Sequence, residues 1–259
     1  MKTLFIGQKI IQLELVRSTN SYAQNLLVKQ STVPEGTVVN AYNQTQGRGQ
    51  RGNTWLSNPD ETITFSIVLY PKFLQIEDQF LLSMAVSLAL ADYFNSVFKG
   101  QVLNPIPTSA VKWPNDIMVK NRKISGILIE NNTRGKDWVS AIVGIGLNIN
   151  QTSFPSTIAK PTSLYLETRI KWDLTSVLKD VLSFLEARYL QIKSGKRQVL
   201  IEDYMNHLFQ NHSWCYYILK GEKITARITG ISNIGKLILE TKDGQIIECD
   251  NKEVIYDIG

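Results

Sequence analysis

Two short stretches of the chain concentrate residue types that bind anions. The first, "NQTQGRGQRGNTW" at 43–55, places two arginines among three glycines. Glycines let backbone N–H groups approach an anion closely, and a guanidinium group matches a carboxylate or phosphate with two parallel hydrogen bonds. The second, "VKWPND" at 111–116, holds Lys112 beside the rigid pair Trp113 and Pro114, where its ammonium group could contact a phosphoryl group. Together these stretches predict a loop and a lysine that bind an anionic substrate.

The glycine spacing matches a dinucleotide-binding loop, but the residues around it do not. A Rossmann loop must open an α-helix whose N-terminus faces the pyrophosphate, whereas "NTWLSNPDET" follows here and predicts no helix. A protein-kinase glycine loop would lie between two strands, but the chain contains neither H-R-D nor D-F-G. Gly52 is not followed by the Lys-Ser/Thr pair of a Walker A loop. The sequence therefore disfavours the first class and excludes the other two.

Two further features have both a structural and a functional interpretation. Gly144 and Gly146 interrupt the apolar run "VGIGLNIN", which indicates either close approach of a ligand or a β-bulge. Asn115 and Asp116 follow Pro114 and could serve a ribose, a metal ion or an incoming amine, or could simply cap a turn. Neither feature decides a function by itself.

Composition sets broader limits. The chain has 259 residues, 43 % of them hydrophobic and 20 % charged, as in globular proteins. The net charge of +5 is compatible with an ordinary solvated surface or with an anionic partner, and the scattered basic residues predict no nucleic-acid partner. The two cysteines and two histidines form no metal-binding motif. The N-terminus does not resemble a signal peptide, and the apolar window at 80–91 is too short to span a bilayer, so we expect a cytoplasmic protein without a membrane partner.

Hydrophobic periodicity predicts helices and strands in an irregular order. The expected helices lie at 17–30, with Ser18 or Thr19 as N-cap, and at 79–98, 174–192 and 199–209. The expected strands lie at 36–42, 62–70, 123–131 and 138–150, and residues 1–15 form an extended edge segment. From about residue 214, short β-runs alternate with turns. This order predicts an α+β fold with two domains, 1–211 and a small all-β module at 212–259.

Four motifs in a fixed order carry a family resemblance. "STN" at 18–20, "GRGQRGNTW" at 47–55, "KWPND" with "KISGILIE" at 112–130, and "GIGLNIN" at 144–150 resemble the catalytic domain of biotin–protein ligases, also called biotin–[acetyl-CoA-carboxylase] ligases. The resemblance is strong over 17–150 and looser beyond, and the pairing of "GRG…W" with "KWPND" is its specific part. It implies a mixed sheet with flanking helices, akin to class II aminoacyl-tRNA synthetase cores, followed by an SH3-like barrel.

The resemblance also implies a reaction and roles for individual residues. Family members use ATP and Mg²⁺ to convert biotin into biotinyl-5′-AMP, then transfer biotin to a lysine ε-amine on a biotin carboxyl carrier protein. Lys112 and Arg48 match the catalytic cations, and Asp116 could orient or deprotonate the acceptor amine. The positions that match biotin contacts are Ser18, Thr19, Asn20, Gln44, Arg48, Gly49, Gln50, Lys112, Gly144 and Gly146. The nucleotide-side candidates are Trp55, Asn115, Lys123 and Asn148, and no protein metal ligand is expected.

The chain departs from the family pattern in places. Many members have a basic residue at the position of Gln50 and an arginine at that of Asn53, which leaves loop closure and adenylate retention open. Because the first motif begins at Ser18, the resemblance implies a single-function enzyme without the N-terminal DNA-binding domain of some members. It also implies that the enzyme could form a homodimer. Two alternatives remain. A lipoate–protein ligase would typically carry an R-R-x-S-G-G-G-type loop, which is lacking here, and a non-catalytic biotin-binding regulator would not need Arg48 and Lys112.

Overall fold

A seven-stranded mixed sheet forms the centre of the computed structural model, which describes residues 3–30, 32–251 and 253–257. Elements are numbered along the chain. The sheet has the order β1-β2-β5-β9-β8-β7-β6. Its strands are β1 (Ile10–Val16), β2 (Val38–Gln44), β5 (Thr62–Leu69), β6 (Ser109–Lys112), β7 (Asp116–Val119), β8 (Arg122–Arg134) and β9 (Asp137–Asn148). Only β1 and β2 pair in parallel, and the other neighbours are antiparallel.

Smaller elements surround this sheet. The short strands β3 (Gly47–Arg48) and β4 (Thr54–Trp55) pair with each other. The helices are α1 (Thr19–Lys29), α2 (Gln79–Lys99), α3 (Leu164–Thr168), α4 (Leu174–Lys193) and α5 (Arg197–His207). A second, antiparallel sheet has the order β13-β12-β11-β10-β14 and is called the C-terminal sheet below. Its strands are β10 (Cys215–Leu219), β11 (Glu222–Ile231), β12 (Leu237–Thr241), β13 (Ile246–Cys249) and β14 (Val254–Tyr256).

Helices cover both faces of the large sheet because its central strands are buried on both sides. Every residue of β5 is buried, although polar and apolar residues alternate along the strand from Thr62 to Ile67. Successive side chains point to opposite faces, so Val39 and Val68 pack in one cluster with α1. Val38 and Ile67 belong to the larger cluster that contains the buried residues of α2 and α4. The sheet thus separates a small core under α1 from the main core.

Helix α2 is the central helix of the main core. By length and composition it could cross a membrane, but 72 % of its apolar window is buried inside the protein. Its buried positions include Leu82, Leu88 and Phe94, each of which stabilises the fold by about 1.5–3 kcal/mol through burial. The prediction of a buried core helix at 79–98 is confirmed.

Most predicted elements appear within a few residues of their expected bounds. The N-cap of α1 is Ser18, whose side chain accepts a hydrogen bond from the Ser21 backbone at 3.5 Å. Helix α3 was not predicted, since its five residues are too few to show a helical period. The Ser163 hydroxyl accepts from the Leu166 backbone at 3.1 Å, and this capping residue is the only local sign of α3.

The C-terminal sheet packs against the segment that carries the lysine motif. The Trp113 indole N–H donates to the Gly235 carbonyl at 2.9 Å, and the Phe209 and Tyr256 rings lie 6.2 Å apart. Buried residues of this sheet, such as Ile228, join the main hydrophobic cluster. Helix α5 ends at His207 and the first strand of the C-terminal sheet begins at Cys215. A domain boundary at 211/212 falls between them and stays a prediction.

Candidate active site

One cleft of about 360 Å³ brings the separate sequence motifs together. Of the predicted site residues, it is lined by Ser18, Thr19, Asn20, Gln44, Arg48, Gly49, Gln50, Trp55, Lys112, Asn115, Lys123, Gly144 and Gly146. Asn148 lies outside this cleft and lines an adjoining cavity of about 140 Å³, together with Trp55 and Lys123. The cleft also contains Asp116 and residues of the C-terminal sheet.

The polar end of the cleft is a buried network at the N-terminus of α1. The Thr19 backbone N–H donates to Gln44 Oε1 at 2.7 Å. Ser66 Oγ lies 2.7 Å from Thr19 Oγ1 and 2.6 Å from Asn20 Oδ1. Asn20 Nδ2 donates to Glu130 Oε2 at 2.8 Å. Because each group is held by another, the end presents hydroxyl and amide groups in a defined orientation.

Sequence reasoning missed Ser66 and Glu130. Ser66 follows Thr62 and Thr64 in the polar half of the alternation along β5, and its complete burial becomes visible only in the structure. Glu130 lies 82 residues from Arg48 along the chain and has no comparable signal. The structure therefore adds two positioning groups to the predicted site.

The glycine loop is a tight turn between β3 and β4. The Gly49 backbone N–H donates to the Asn53 carbonyl at 2.7 Å, and a single 3₁₀ turn spans Gln50–Gly52. Gly52 has a φ of +83°, a left-handed conformation that favours glycine. The side chain of Arg51 lies outside the part of the chain that the structure describes. No α-helix follows this turn, in agreement with the sequence features that disfavour a dinucleotide-binding loop.

Arg48 forms a partly exposed ion pair at the rim of the cleft. Its Nη2 lies 2.7 Å from Glu130 Oε2, and the two side chains are 45 % and 33 % exposed. An ion pair at this exposure is screened by water and contributes little to stability. The guanidinium group can therefore exchange Glu130 for an anionic ligand at low cost.

Gly144 and Gly146 make room for protein side chains. A Cβ atom on Gly144 would lie closer than 3.0 Å to Asn20 Oδ1, and one on Gly146 equally close to the Trp55 indole. Both glycines lie on β9, two residues apart and on the same face. The expected role was to leave room for biotin, and this role stays a prediction. In the structure, Gly144 leaves room for Asn20 of the polar network, and Gly146 leaves room for the Trp55 indole.

Two lysines form the cationic wall of the cleft. Lys112 ends β6, Lys123 lies in β8, and β7 pairs with both strands. Lys123 Nζ makes a 2.6 Å ion pair with Asp116 Oδ1, so the carboxylate considered for the acceptor amine is already paired. Lys112 has no ion-pair partner within the described ranges, and its Nζ lies 5.2 Å from the Tyr256 ring centroid.

Burial distinguishes Lys112 electrostatically. Desolvation lowers the pKa of its ammonium group, the Asp116 carboxylate acts in the opposite direction, and the Lys123 cation lowers it further. A partly desolvated cation without a partner binds an anion more strongly than an exposed one. Lys112 is therefore the group best placed to offset negative charge inside the cleft.

The adjoining cavity continues the cleft behind Trp55. Its walls include the apolar side chains of Phe154 and Ile158. Asn148 Nδ2 donates to the Thr162 carbonyl at 3.0 Å, which holds the cavity's polar edge in place. A mostly apolar cavity with a few amide groups suits an aromatic ring.

The C-terminal sheet completes the cleft from the opposite side. Tyr256, Ile255 and Val254 line it, and Asn251 Nδ2 donates to Gln50 Oε1 at 2.6 Å. This last bond joins the sheet to the glycine loop across 201 residues of chain. Motif reasoning identified none of the C-terminal residues Asn251, Val254, Ile255 and Tyr256, because no motif surrounds them.

Comparison with known proteins identifies the family. The model of the biotin/lipoate A/B protein ligase family matches residues 13–148. The bifunctional ligase/repressor BirA of Bacillus spizizenii is 33 % identical over 94 % of this chain and 73 % of its own length. The biotin–[acetyl-CoA-carboxylase] ligase of Mycobacterium tuberculosis is 28 % identical over 95 % of this chain and 89 % of its own.

A solved structure agrees with these relatives. The biotin protein ligase from Aquifex aeolicus, in complex with biotin and ATP, superposes with a TM-score of 0.77 and 28 % identity. The match covers 96 % of this chain and 98 % of that one. The α+β fold expected from the sequence is thereby confirmed. Because the family model covers over half of the chain and a relative above 30 % identity matches nearly all of it, this chain belongs to the biotin/lipoate A/B protein ligase family.

Proposed function

We propose that the chain is an ATP-dependent biotin–protein ligase. It joins the biotin carboxylate to AMP and then transfers biotin to a lysine on a biotin carboxyl carrier protein. The observation that carries the proposal is the continuity of three subsites in one cleft. The polar network around Asn20 and the cationic wall around Lys112 line this cleft, and the cavity behind Trp55 adjoins it. We assign the biotin head group, the reacting centre and adenine to these three subsites in turn.

The first step brings two anions together. A carboxylate oxygen of biotin attacks the α-phosphorus of ATP, which enters as its Mg²⁺ complex, and pyrophosphate leaves. Lys112 offsets the repulsion between the carboxylate and the phosphate, and Arg48 exchanges Glu130 for the reacting group as the loop closes. Holding both reactants in one geometry and stabilising the developing charge are the two main contributions to the rate.

The two ends of the cleft select the substrates. A ureido ring presents both hydrogen-bond donors and acceptors, which the hydroxyl and amide groups of Thr19, Asn20 and Gln44 complement. Adenine stacks on Trp55, beside the amide of Asn148. Lys123 leaves Asp116 to contact the α-phosphate. These assignments extend the sequence-based roles of the same residues.

The partner proposal follows from the reaction. The acceptor is the carrier domain of a biotin-dependent carboxylase, as the name of the mycobacterial relative suggests for that protein. A homodimer is supported by β1, an edge strand that exposes Ile10 and Leu15. Free thiols at Cys215 and Cys249 are in keeping with a cytoplasmic location.

The test is biotin-dependent exchange of pyrophosphate into ATP, with lipoate and octanoate as parallel acids. We expect exchange with biotin alone. Octanoate and lipoate lack the ureido group that the polar network around Asn20 complements. Exchange with lipoate but not biotin would support a lipoate–protein ligase, which the family also contains. A folded protein that exchanges with none of the acids would instead be a non-catalytic binder.

The hydrogen bond between Gln50 and Asn251 makes a separate prediction about adenylate retention. Asn251→Ala removes the contact that ties the glycine loop to the C-terminal sheet. Losing one neutral hydrogen bond costs about 1 kcal/mol, so we expect bound biotinyl-5′-AMP to dissociate about fivefold faster. Rapid-dilution chase of labelled adenylate measures this rate, and Asn53→Ala serves as the comparison within the loop. An unchanged dissociation rate in Asn251→Ala would show that the contact does not retain the adenylate.

A further inference from the structure

A second cavity of about 230 Å³ lies beside the reaction cleft. The two share the residues Gln50, Pro114, Asn115 and Ile127. The cavity occurs where β7 stops pairing with β8: the last paired residue of β8 is Gly126, and the Ile127 N–H donates to the Asn115 carbonyl at 3.0 Å. Beyond this bond a gap remains between the edge of β8 and helix α2. The gap adjoins the cationic wall and has no assigned role in the adenylation step.

A polar stripe on α2 leads into this cavity. Gln79, Ser83 and Ser87 are spaced by four residues, so they lie on one face of an otherwise apolar helix. Gln79 is exposed, Ser83 is half-buried and Ser87 is fully buried. Polar residues in a core helix are uncommon unless they meet a partner. The stripe therefore marks a polar path from the surface to the interior.

The two ends of the path each have one buried oxygen with unused hydrogen-bonding capacity, Ser87 Oγ at the inner end and Asn131 Oδ1 at the outer end beside Gln79. Ser87 is 0 % exposed, and its Oγ has no hydrogen-bond partner among residues 3–30, 32–251 and 253–257. A buried helical serine commonly donates to the carbonyl four residues back, and Ser87 does not. Asn131 Nδ2 donates to Gln79 Oε1 at 2.8 Å, whereas its buried Oδ1 also has no partner there. Unpaired buried acceptors point to an occupant that donates hydrogen bonds.

The walls of the cavity restrict what the occupant can be. Phe80, Ile129 and Ile234 supply apolar surface, and no lining residue carries a charge. A phosphate would need cations, so the cavity does not fit pyrophosphate. With both apolar and neutral polar groups in its lining, it fits an alkyl chain that ends in a neutral hydrogen-bond donor. A lysine side chain, with four methylenes and a terminal amine, has this form when the amine is deprotonated.

We propose that this cavity receives the side chain of the acceptor lysine and presents its amine to the reaction cleft. This inference rests on the proposed function. The amine nitrogen forms a bond to the acyl carbon of biotinyl-5′-AMP, the bond from that carbon to the phosphate oxygen breaks, and AMP leaves with the electron pair. The amine loses one proton to water. A site with hydroxyl and amide oxygens but no carboxylate disfavours the ammonium form, which keeps the amine nucleophilic.

The test separates the two half-reactions. Ser87→Val fills the inner end, Ser87→Ala removes only the oxygen, and Ser96→Val is the matched control at an exposed position of the same helix. Biotinyl-5′-AMP is formed on the enzyme, and its transfer to a carrier domain and to n-butylamine is followed. We expect Ser87→Val to lower kcat/KM for both acceptors about tenfold or more, and Ser87→Ala about threefold to tenfold. Biotin-dependent pyrophosphate exchange should stay within about twofold in every variant.

The length of the alkyl chain in the acceptor amine gives a second readout. In the unmodified protein, n-butylamine should react faster than methylamine because only its chain reaches the apolar walls, and Ser87→Val should abolish this preference. Transfer unchanged in both Ser87 variants would show that the cavity holds only water and would overturn the inference. An equal fall of exchange and transfer would overturn it too, since Ser87 would then support the whole cleft. If Ser87→Val does not fold, Ser87→Ala decides. Absence of biotin-dependent exchange in the unmodified protein would instead refute the proposed function.

Discussion

Replacing Lys112 by alanine is expected to slow formation of biotinyl-5′-AMP at least about a hundredfold, the scale of losing one preorganised electrostatic group. The ammonium group is half-buried and has no ion-pair partner in the described part of the chain, so its charge is available to the substrates. Lys123 and Arg48 must first leave Asp116 and Glu130 before they contact the substrates, so neither replaces the unpaired charge of Lys112 in full. The repulsion between the acid and the triphosphate would then be compensated only in part.

Single-turnover adenylation, started by mixing enzyme and biotin with ATP, measures this effect. Lys136→Ala is the control, because Lys136 is an exposed lysine in the turn between β8 and β9. A change below about threefold in Lys112→Ala would remove Lys112 from the adenylation mechanism. Circular dichroism of both variants shows whether the fold is kept.

The pH dependence of the same step has a definite sign. Burial lowers the pKa of Lys112 below the ordinary lysine value of 10.5. The charged form is the active one, so adenylation is at its full rate at pH values below the lowered pKa and falls as the pH rises through it. We expect this alkaline decline to begin at a lower pH than for an exposed lysine. A rate that stays constant up to pH 10.5 would contradict the assignment.

Alanine at Gly144 and at Gly146 is expected to separate the two substrates. A Cβ atom on Gly144 displaces Asn20, and one on Gly146 displaces Trp55. Overpacking costs about 1–3 kcal/mol, which corresponds to about 5- to 150-fold in affinity. Gly144→Ala should therefore raise the KM for biotin at least about tenfold and leave the KM for ATP within about threefold, while Gly146→Ala should do the reverse.

Pyrophosphate exchange at varied biotin and varied ATP measures both constants for each variant. Gly230→Ala in β11 is the matched control, because the nearest atom to its new Cβ is the flexible end of Ile238 at 3.4 Å. Equal rises of both KM values in both variants would mean that the cleft is disturbed as a whole. In that case the division into a biotin end and a nucleotide end would be wrong.

Local patterns of residues were sufficient to predict the longer helices and most strands of the large sheet. A helix such as α2 shows its period within one stretch of chain, and the Ser18 cap depends only on residues that follow it. The "KWPND", "KISGILIE" and "GIGLNIN" motifs lie close together because β6, β7, β8 and β9 are neighbours in the sheet. These features depend on residues close in sequence or in adjacent hairpins.

The partners of the motif residues were decided by the tertiary structure. Glu130 meets Arg48 and Asn20 only because the sheet places β8 opposite the glycine loop and α1. Tyr256 reaches Lys112 through the docking of a second sheet. Such contacts join residues that no period or spacing relates.

The residue types and spacing of this protein thus determined which groups could perform acyl-adenylate chemistry, because charge, hydrogen-bonding capacity and backbone freedom belong to the residues themselves. The tertiary structure alone decided which cation is left unpaired. Lys123 forms an ion pair with Asp116, while the Lys112 ammonium group lies over the Tyr256 ring. Pairing and burial depend on distances set by strand order and sheet packing, and those distances arise only when the whole chain has folded.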